Sequence, residues 1–145
     1  MIKGIIIAVY CLILNPSIGW QPDMETAVKI ATVQHKPILL NFSGSDWCGP
    51  CIRMRREIFE SKTFIGLADS SLVLLNADFP RNKKNQLSDK ITKQNESLAD
   101  RYNPEGKFPF TVLINAEGKL LYAWDGLPSS ETQFITALKE IADAY

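Results

Sequence analysis

Two cysteines, Cys48 and Cys51, flank Gly49 and Pro50 and follow Trp47 directly. Two thiols at this spacing can close a small disulfide ring and reopen it, which is the chemistry of thiol–disulfide exchange. Exchange needs a reachable thiolate, a second thiol that resolves the mixed disulfide, and an apolar surface for the partner. The pair is therefore a candidate redox centre.

The elements around the pair predict how it is presented. The apolar run 38–42 is typical of a buried strand, and a helix is predicted from Pro50 to about Glu60, because proline is favoured in a first helical turn. Cys48 then lies just outside the helix N-terminus, where the helix dipole favours a thiolate. We expect Cys48 to be the nucleophile and Cys51, one turn later and less exposed, to be the resolving thiol.

Other uses of paired cysteines fit this chain poorly. A zinc site usually takes four ligands, and besides the cysteine pair the chain after residue 19 offers only His35. A c-type haem site requires histidine directly after the second cysteine, where Ile52 stands. We therefore expect no metal and no cofactor. Two purely structural cysteines remain the plainer alternative.

The N-terminus has the pattern of a secretory signal peptide. Lys3 precedes the apolar stretch 4–14, and Ser17 to Gly19 offer small residues at a cleavage site. The stretch is too short to span a bilayer comfortably. We expect a signal peptide over residues 1–19, cleaved after Gly19, and a domain over 20–145 that is exported to the periplasm or the exterior without stable membrane insertion. The alternative is an apolar first strand of a cytosolic domain.

Length, charge and cysteine count narrow the class further. With 145 residues the chain is expected to form one domain. Sixteen basic and sixteen acidic residues balance, so no bulk field attracts nucleic acid. Cleavage would remove Cys11 and leave only the pair, too few for a disulfide scaffold. We expect a monomer that acts on protein thiols and disulfides.

The motifs resemble the thioredoxin superfamily, in particular its small exported thioredoxin-like members. The resemblance rests on three segments: 36–40, which reads Lys-Pro-Ile-Leu-Leu, 44–51 with Gly-Ser-Asp-Trp-Cys-Gly-Pro-Cys, and 107–114 around Pro109. It covers nearly all of the chain after residue 20. It implies an α/β, three-layer sandwich with a mixed central sheet flanked by helices.

The resemblance also implies roles for individual residues. Pro109 matches the family's cis-proline, which lies beside the active-site cysteines, so Phe108 and Pro109 are expected to help bind substrate. Trp47 is expected to shield the site and line the substrate surface. Gly-Pro between the cysteines is the dipeptide of the reducing members, which implies a Cys48–Cys51 disulfide that cycles in a reductase or isomerase. A membrane thiol transporter is the electron donor expected outside the cytosol.

Two alternatives to this function stay open at the level of the sequence. One is a non-catalytic binding or chaperone module that keeps the fold and a static disulfide. The other is a cytosolic thioredoxin with an unusual N-terminus.

The sequence departs from the family behind the cysteines. Asn41 stands where thioredoxins have a buried aspartate, and Leu74 where they have a buried lysine. We expect a drier, less polar pocket and a Cys51 that loses its proton less readily. One extra residue before the cysteines could let Asp46 approach the site, although a solvated loop residue is the plainer expectation.

The rest of the chain fits the same plan. Asp23 and Ser61 are predicted helix N-caps, and Ser130 begins a capping box before the last helix. Residues 81–95 look like a polar insertion, with Asn95 as a helix cap at its end. Two predicted strands, 111–115 and 120–124, form a hairpin.

Overall fold

The computed structural model describes residues 19–145, which form a five-stranded sheet flanked by helices. The strands are β1 (Trp20–Gln21), β2 (Ile38–Ser43), β3 (Val73–Asp78), β4 (Phe110–Ile114) and β5 (Leu120–Asp125). The helices are α1 (Met24–Gln34), α2 (Gly49–Met54), α3 (Lys62–Ser71), α4 (Asp89–Tyr102) and α5 (Glu131–Asp143).

The sheet is mixed, with strand order β1-β3-β2-β4-β5. β1, β3 and β2 run parallel, and β4 and β5 run antiparallel to their neighbours. The register places Asn41 opposite Asn76 on β3 and opposite Thr111 on β4. Three polar residues therefore lie side by side across the middle of the sheet.

Each face of the sheet has its own hydrophobic core. One face packs Leu39, Leu74 and Leu113 against residues of α2, α3 and α5. The other face packs Ile38, Leu40 and their neighbours against α1 and α4. Side chains alternate between the faces of a strand, so Asn41 and Asn76 share the first face with Leu39 and Leu74. The predicted three-layer α/β sandwich is confirmed.

The α-helix that contains Cys51 ends earlier than the sequence predicted, which was at about Glu60. α2 ends at Met54, and the chain continues through a π-helical turn, Arg55–Phe59. This turn buries Ile58 and Phe59 in the core. Phe59 then makes an edge contact with Trp20, with ring centroids 5.1 Å apart, and so covers β1. The strand β1 was not predicted, because two residues carry too little periodicity.

The predicted helix caps are largely confirmed, with one correction. Asp23, Ser61 and Ser130 each accept a backbone N–H three residues further on. The prediction that Asn95 caps a helix is wrong, since α4 begins at Asp89 with Ser88 as its N-cap. Asn95 lies buried inside α4, and its Nδ2 donates to the backbone oxygen of Asp78, 3.0 Å away. About half of the predicted insertion is therefore helix.

Within residues 19–145, no helix has both the length and the apolar content needed to cross a bilayer. The candidate signal peptide and Cys11 lie outside the described residues, apart from Gly19.

Candidate redox site

The cysteine pair lies at the start of α2, as predicted. Cys48 is the N-cap, and Cys51 lies in the first turn of the helix. A disulfide joins the two residues, whose Cα atoms are 5.2 Å apart. The backbone N–H of Cys51 donates to Sγ of Cys48 at 3.3 Å. A hydrogen bond of this kind favours an anionic acceptor, so the same geometry stabilises a thiolate at Cys48 once the disulfide is reduced.

Exposure does not separate the two cysteines in this oxidised state. We expected Cys51 to be the less exposed, but each cysteine is only 5 % exposed. The reason is that the bond holds both sulfurs together against the protein. What separates them is their surroundings, because Cys48 follows Trp47 in the chain and Cys51 lines a partly open pocket that also contains Asn41 and Asn76.

The outer side of the disulfide is bordered by an aromatic rim, which we define as Trp47, Phe79 and Phe108. The Phe108 ring makes edge contacts with the other two, with centroids 5.5 Å apart in each pair. Indole Nε1 of Trp47 donates to the backbone oxygen of Phe79 at 2.7 Å. Gly44 makes room for this arrangement, since a Cβ atom there would overlap the indole ring.

Asp46 contributes to the site indirectly, by holding the loop that follows Phe79. Its carboxylate accepts the backbone N–H groups of Arg81 and Asn82, each at 2.9 Å, and Nδ2 of Asn85 at 3.1 Å. These bonds, led by the one from Arg81, lower the pKa of Asp46. Asp46 is therefore not a simple solvated residue, because its carboxylate is bound to this loop.

The inner side faces a cavity of about 230 Å³ whose lining includes Cys51, Asn41, Ser43, Ser45 and Asn76. A chain of hydrogen bonds runs along its wall. Nδ2 of Asn41 donates to Oδ1 of Asn76 at 2.9 Å, and Nδ2 of Asn76 donates to Oγ of Ser43 at 3.1 Å. Oγ of Ser43 lies 3.3 Å from Oδ1 of Asp78 and donates to it.

The wall of this pocket is polar, although neither Asn41 nor Leu74 carries a charge. Leu74 does lie in the apolar core, but Asn41, Asn76 and Ser43 keep the wall polar. Asn41 is 4 % exposed, and its Oδ1 accepts from Oγ1 of Thr111 at 3.0 Å. A buried amide is tolerated here because both of its ends have partners. The cavity has room for water and polar atoms to hold it.

The sequence analysis missed Ser43, Asn76, Asp78 and Phe79. A signal was present, because Asn76 and Asp78 break an apolar strand at alternate positions, and Asn41 and Ser43 do the same one strand earlier. Alternation predicts one face for each pair. Only the register, which pairs Asn41 with Asn76 and Ser43 with Asp78, shows that the two sets meet.

The remaining candidate residues lie at the same edge of the sheet. The Phe108–Pro109 peptide bond is cis, as the resemblance implied. Pro109 is buried, and its carbonyl accepts the N–H of Gly126 at 2.9 Å. Gly49 and Pro50 are exposed, and a Cβ at Gly49 would meet no atom within 4 Å. No close contact therefore requires glycine at position 49 in the oxidised protein.

No group of three or more histidine, cysteine or acidic side chains within residues 19–145 is arranged to hold a metal ion. The arginines after Cys51 make exposed ion pairs, Arg53 with Glu57 and Arg55 with Glu60. Such pairs contribute little to stability. Arg55 also lines the pocket that contains Cys51.

The fold and the bonded cysteine pair define a thiol–disulfide oxidoreductase of the thioredoxin class. A family model for the thioredoxin-like domain matches residues 24–142, so the chain belongs to that family.

Particular relatives agree with this class. The chain is 34 % identical to the Disulfide bond reductase DsbH of Chlamydia pneumoniae over 85 % of its own length and 72 % of that protein's. It is 29 % identical to the Thioredoxin-related protein DsbJ of the same organism over 74 % of its own length, but spans only 30 % of that protein's. A solved structure described as DsbH Oxidoreductase superposes with a TM-score of 0.78, 31 % identity, and coverage of 88 % of this chain and 85 % of that one.

Proposed function

We propose that this protein is an exported disulfide reductase in which Cys48 attacks and Cys51 resolves. The observation that carries the proposal is the position of Cys48 as N-cap of α2, with the N–H of Cys51 directed at its sulfur. The name of the relative DsbH, a disulfide bond reductase, supports the reducing direction.

The proposed reaction is a pair of exchanges that balances two electrons. The Cys48 thiolate attacks one sulfur of a substrate disulfide, and the other sulfur leaves as a thiolate. Cys51 then loses its proton and attacks Sγ of Cys48, which releases the reduced substrate. The protein is left with the Cys48–Cys51 disulfide, the state described above. A dithiol donor, for which a membrane thiol transporter is our candidate, must reduce it again.

The aromatic rim and the 108–109 segment form the proposed substrate surface. Phe108 is half-buried and packs edge-on against Trp47, so part of its surface is available to a peptide. The carbonyl of Pro109 is already engaged by Gly126. Pairing with a substrate backbone would therefore fall to Phe108. Gly49 and Pro50, both exposed, complete the surface beside Cys48.

Reduction of insulin in the presence of dithiothreitol tests the catalytic proposal. We expect the protein to accelerate the reaction and Cys48→Ser to reduce the rate to the uncatalysed level. The same uncatalysed rate with the wild-type chain would instead favour a binding module with a static disulfide. An isomerase would reactivate scrambled ribonuclease faster than it reduces insulin.

Export is a separate proposal that rests on residues 1–19. Mass spectrometry of the protein from its native host should find a chain that begins at Trp20. An intact Met1 in a soluble cytosolic fraction would contradict both the cleavage and the compartment.

A further inference from the structure

The residue that extends the aromatic rim outward is Arg81, which the redox reaction described above does not use. Its guanidinium carbon lies 3.7 Å from the centroid of the Trp47 ring, a close cation–π contact. Trp47 directly precedes Cys48, so this cation is fixed beside the nucleophile. Both Arg81 and the loop that follows are exposed.

Arg81 is held in place by two independent sets of contacts. Its backbone N–H is bound by Asp46, which also fixes Asn82 and Asn85. The ring that it covers is anchored separately, by the hydrogen bond from Trp47 to Phe79. A side chain positioned at both ends loses less entropy when it binds a ligand.

The charge of Arg81 has no acidic partner among the residues that the structure describes. Neighbouring cations differ in this respect, since Lys107 binds Asp125 at 2.8 Å and Glu105 at 3.0 Å. Those two carboxylates raise the pKa of Lys107, so its ammonium group stays protonated and its positive charge is balanced by theirs. Stacking on an indole orients a guanidinium but does not neutralise it.

Two further cations continue the surface. Lys83 and Lys84 form the short 3₁₀ turn Lys83–Asn85, which is exposed, and no carboxylate within residues 19–145 forms an ion pair with either of them. The carboxylate of Asp46 is turned toward backbone and amide N–H groups of the same loop. The loop therefore presents the positive charges of Arg81, Lys83 and Lys84, while the carboxylate of Asp46 is bound by N–H groups of the same loop.

We propose that Arg81, with Lys83 and Lys84, is a docking surface for an acidic side chain close to the cysteine of a protein substrate. A guanidinium held flat on a ring keeps its planar fork of N–H donors for a carboxylate, which can bind it in two places. The aromatic rim would contact the apolar part of the same segment. This inference rests on the proposed reductase function and adds a substrate class to it.

Three disulfide peptides that differ only in the residue beside one cysteine provide the test: glutamate, glutamine or lysine. The second-order rate of their reduction is measured with the purified protein at low and high salt. We expect the glutamate peptide to react about tenfold faster than the lysine peptide at low salt, because complementary charge steers encounter. The preference should shrink at about 1 M salt, where the Debye length falls to about 3 Å and charges further apart than this are largely screened.

Substitutions assign the preference to Arg81. Arg81→Glu should reverse the order of the glutamate and lysine peptides when each rate is divided by that of the glutamine peptide with the same variant. Arg81→Lys keeps the charge but loses the fork, so we expect an intermediate preference. Lys139→Glu, on α5, changes the net charge by the same amount as Arg81→Glu and should leave the order unchanged.

The possible outcomes distinguish failure of the docking surface from failure of the proposed reductase function. An unchanged glutamate-to-lysine ratio in Arg81→Glu overturns the docking surface. Failure of the wild-type protein to reduce even the glutamine peptide overturns the reductase function itself. If Arg81→Glu slows all three peptides equally, Arg81 supports the fold of the rim and the docking proposal is wrong.

Discussion

The two sides of the Cys48–Cys51 disulfide differ in how they are built. The outer side is aromatic and cationic, and it depends on a loop that Asp46 fastens to the rim. The inner side consists of neutral amides and hydroxyls set by strand register, with Asp78 at the end of the chain of hydrogen bonds.

The comparison also explains a division of labour between equally buried cysteines. In the proposed reaction Cys48 is the sulfur that a partner reaches, and its chain neighbours Gly49 and Pro50 are exposed. Cys51 is the sulfur that must lose a proton in that reaction, and it shares a pocket with Asn41 and Ser43. The predictions below change first the two sulfurs, then the inner side, and then the outer side.

The largest effect is expected from exchanging the sulfurs themselves. Cys51→Ser should trap mixed disulfides through Cys48, whereas Cys48→Ser should trap almost none, and both should lose turnover. Non-reducing electrophoresis and mass spectrometry of each variant with insulin measure the adducts. Adducts formed by Cys48→Ser instead would reverse the two roles.

The next effect is expected on the inner side. Asn41→Asp supplies a carboxylate to the cavity, so resolution by Cys51 should accelerate by roughly tenfold or more near neutral pH. The variant should lose about 1–3 kcal/mol of unfolding free energy, because the donor to Asn76 is gone and a charge is buried. Stopped-flow measurement of the resolving step and urea unfolding provide the two values.

The control for that prediction is Asn95→Asp, a second buried amide that belongs to α4. It should be destabilised to a similar degree without any change in the resolving step. If Asn41→Asp leaves the rate of the resolving step unchanged, the residue at position 41 does not limit proton loss from Cys51, and the prediction is wrong.

A smaller effect is expected on the outer side. Gly44→Ala should cost about 1–3 kcal/mol of stability, because the indole of Trp47 must move and its bond to Phe79 is strained or lost. Gly49→Ala is the matched control and should stay within about 0.5 kcal/mol. Equal stability losses in the two variants would show that the rim is not tightly packed.

The smallest effect is local and depends on pH. The pKa of Asp46 is lowered in the folded protein, so its bonds to the loop are fully present above the ordinary aspartate value, about 3.9. They are lost as the pH falls through the lower folded value. Hydrogen-exchange protection of the Arg81 and Asn82 amides should fall over that range in the wild-type chain.

Asp46→Asn removes the titrating group behind this effect. Its protection at the Arg81 and Asn82 amides should be lower throughout and flat with pH. The same pH curve in Asp46→Asn would mean that another group controls the loop.

Much of the fold followed from local patterns. Several features could be predicted because their signal lies within a few consecutive residues. They are the apolar runs around Leu40 and Leu75, the caps Asp23 and Ser61, and the Cys48–Cys51 spacing. Prediction failed where the local signal was weak or where two nearby residues could each begin the same helix. Asn95 is a good cap by residue type, but Ser88 is a stronger start because it precedes the longer helical pattern. β1 is too short to carry a pattern at all.

The sequence by itself determined the class of protein, because a redox pair before a helix is written in consecutive residues. Tertiary structure alone decided what lies on either side of that pair. The inner wall depends on the register that sets Asn41 beside Asn76 and Thr111, and the outer rim depends on a loop more than thirty residues away that Asp46 brings back. Contacts between distant segments depend on strand register and loop closure, which the residue types and spacing of one segment do not specify by themselves.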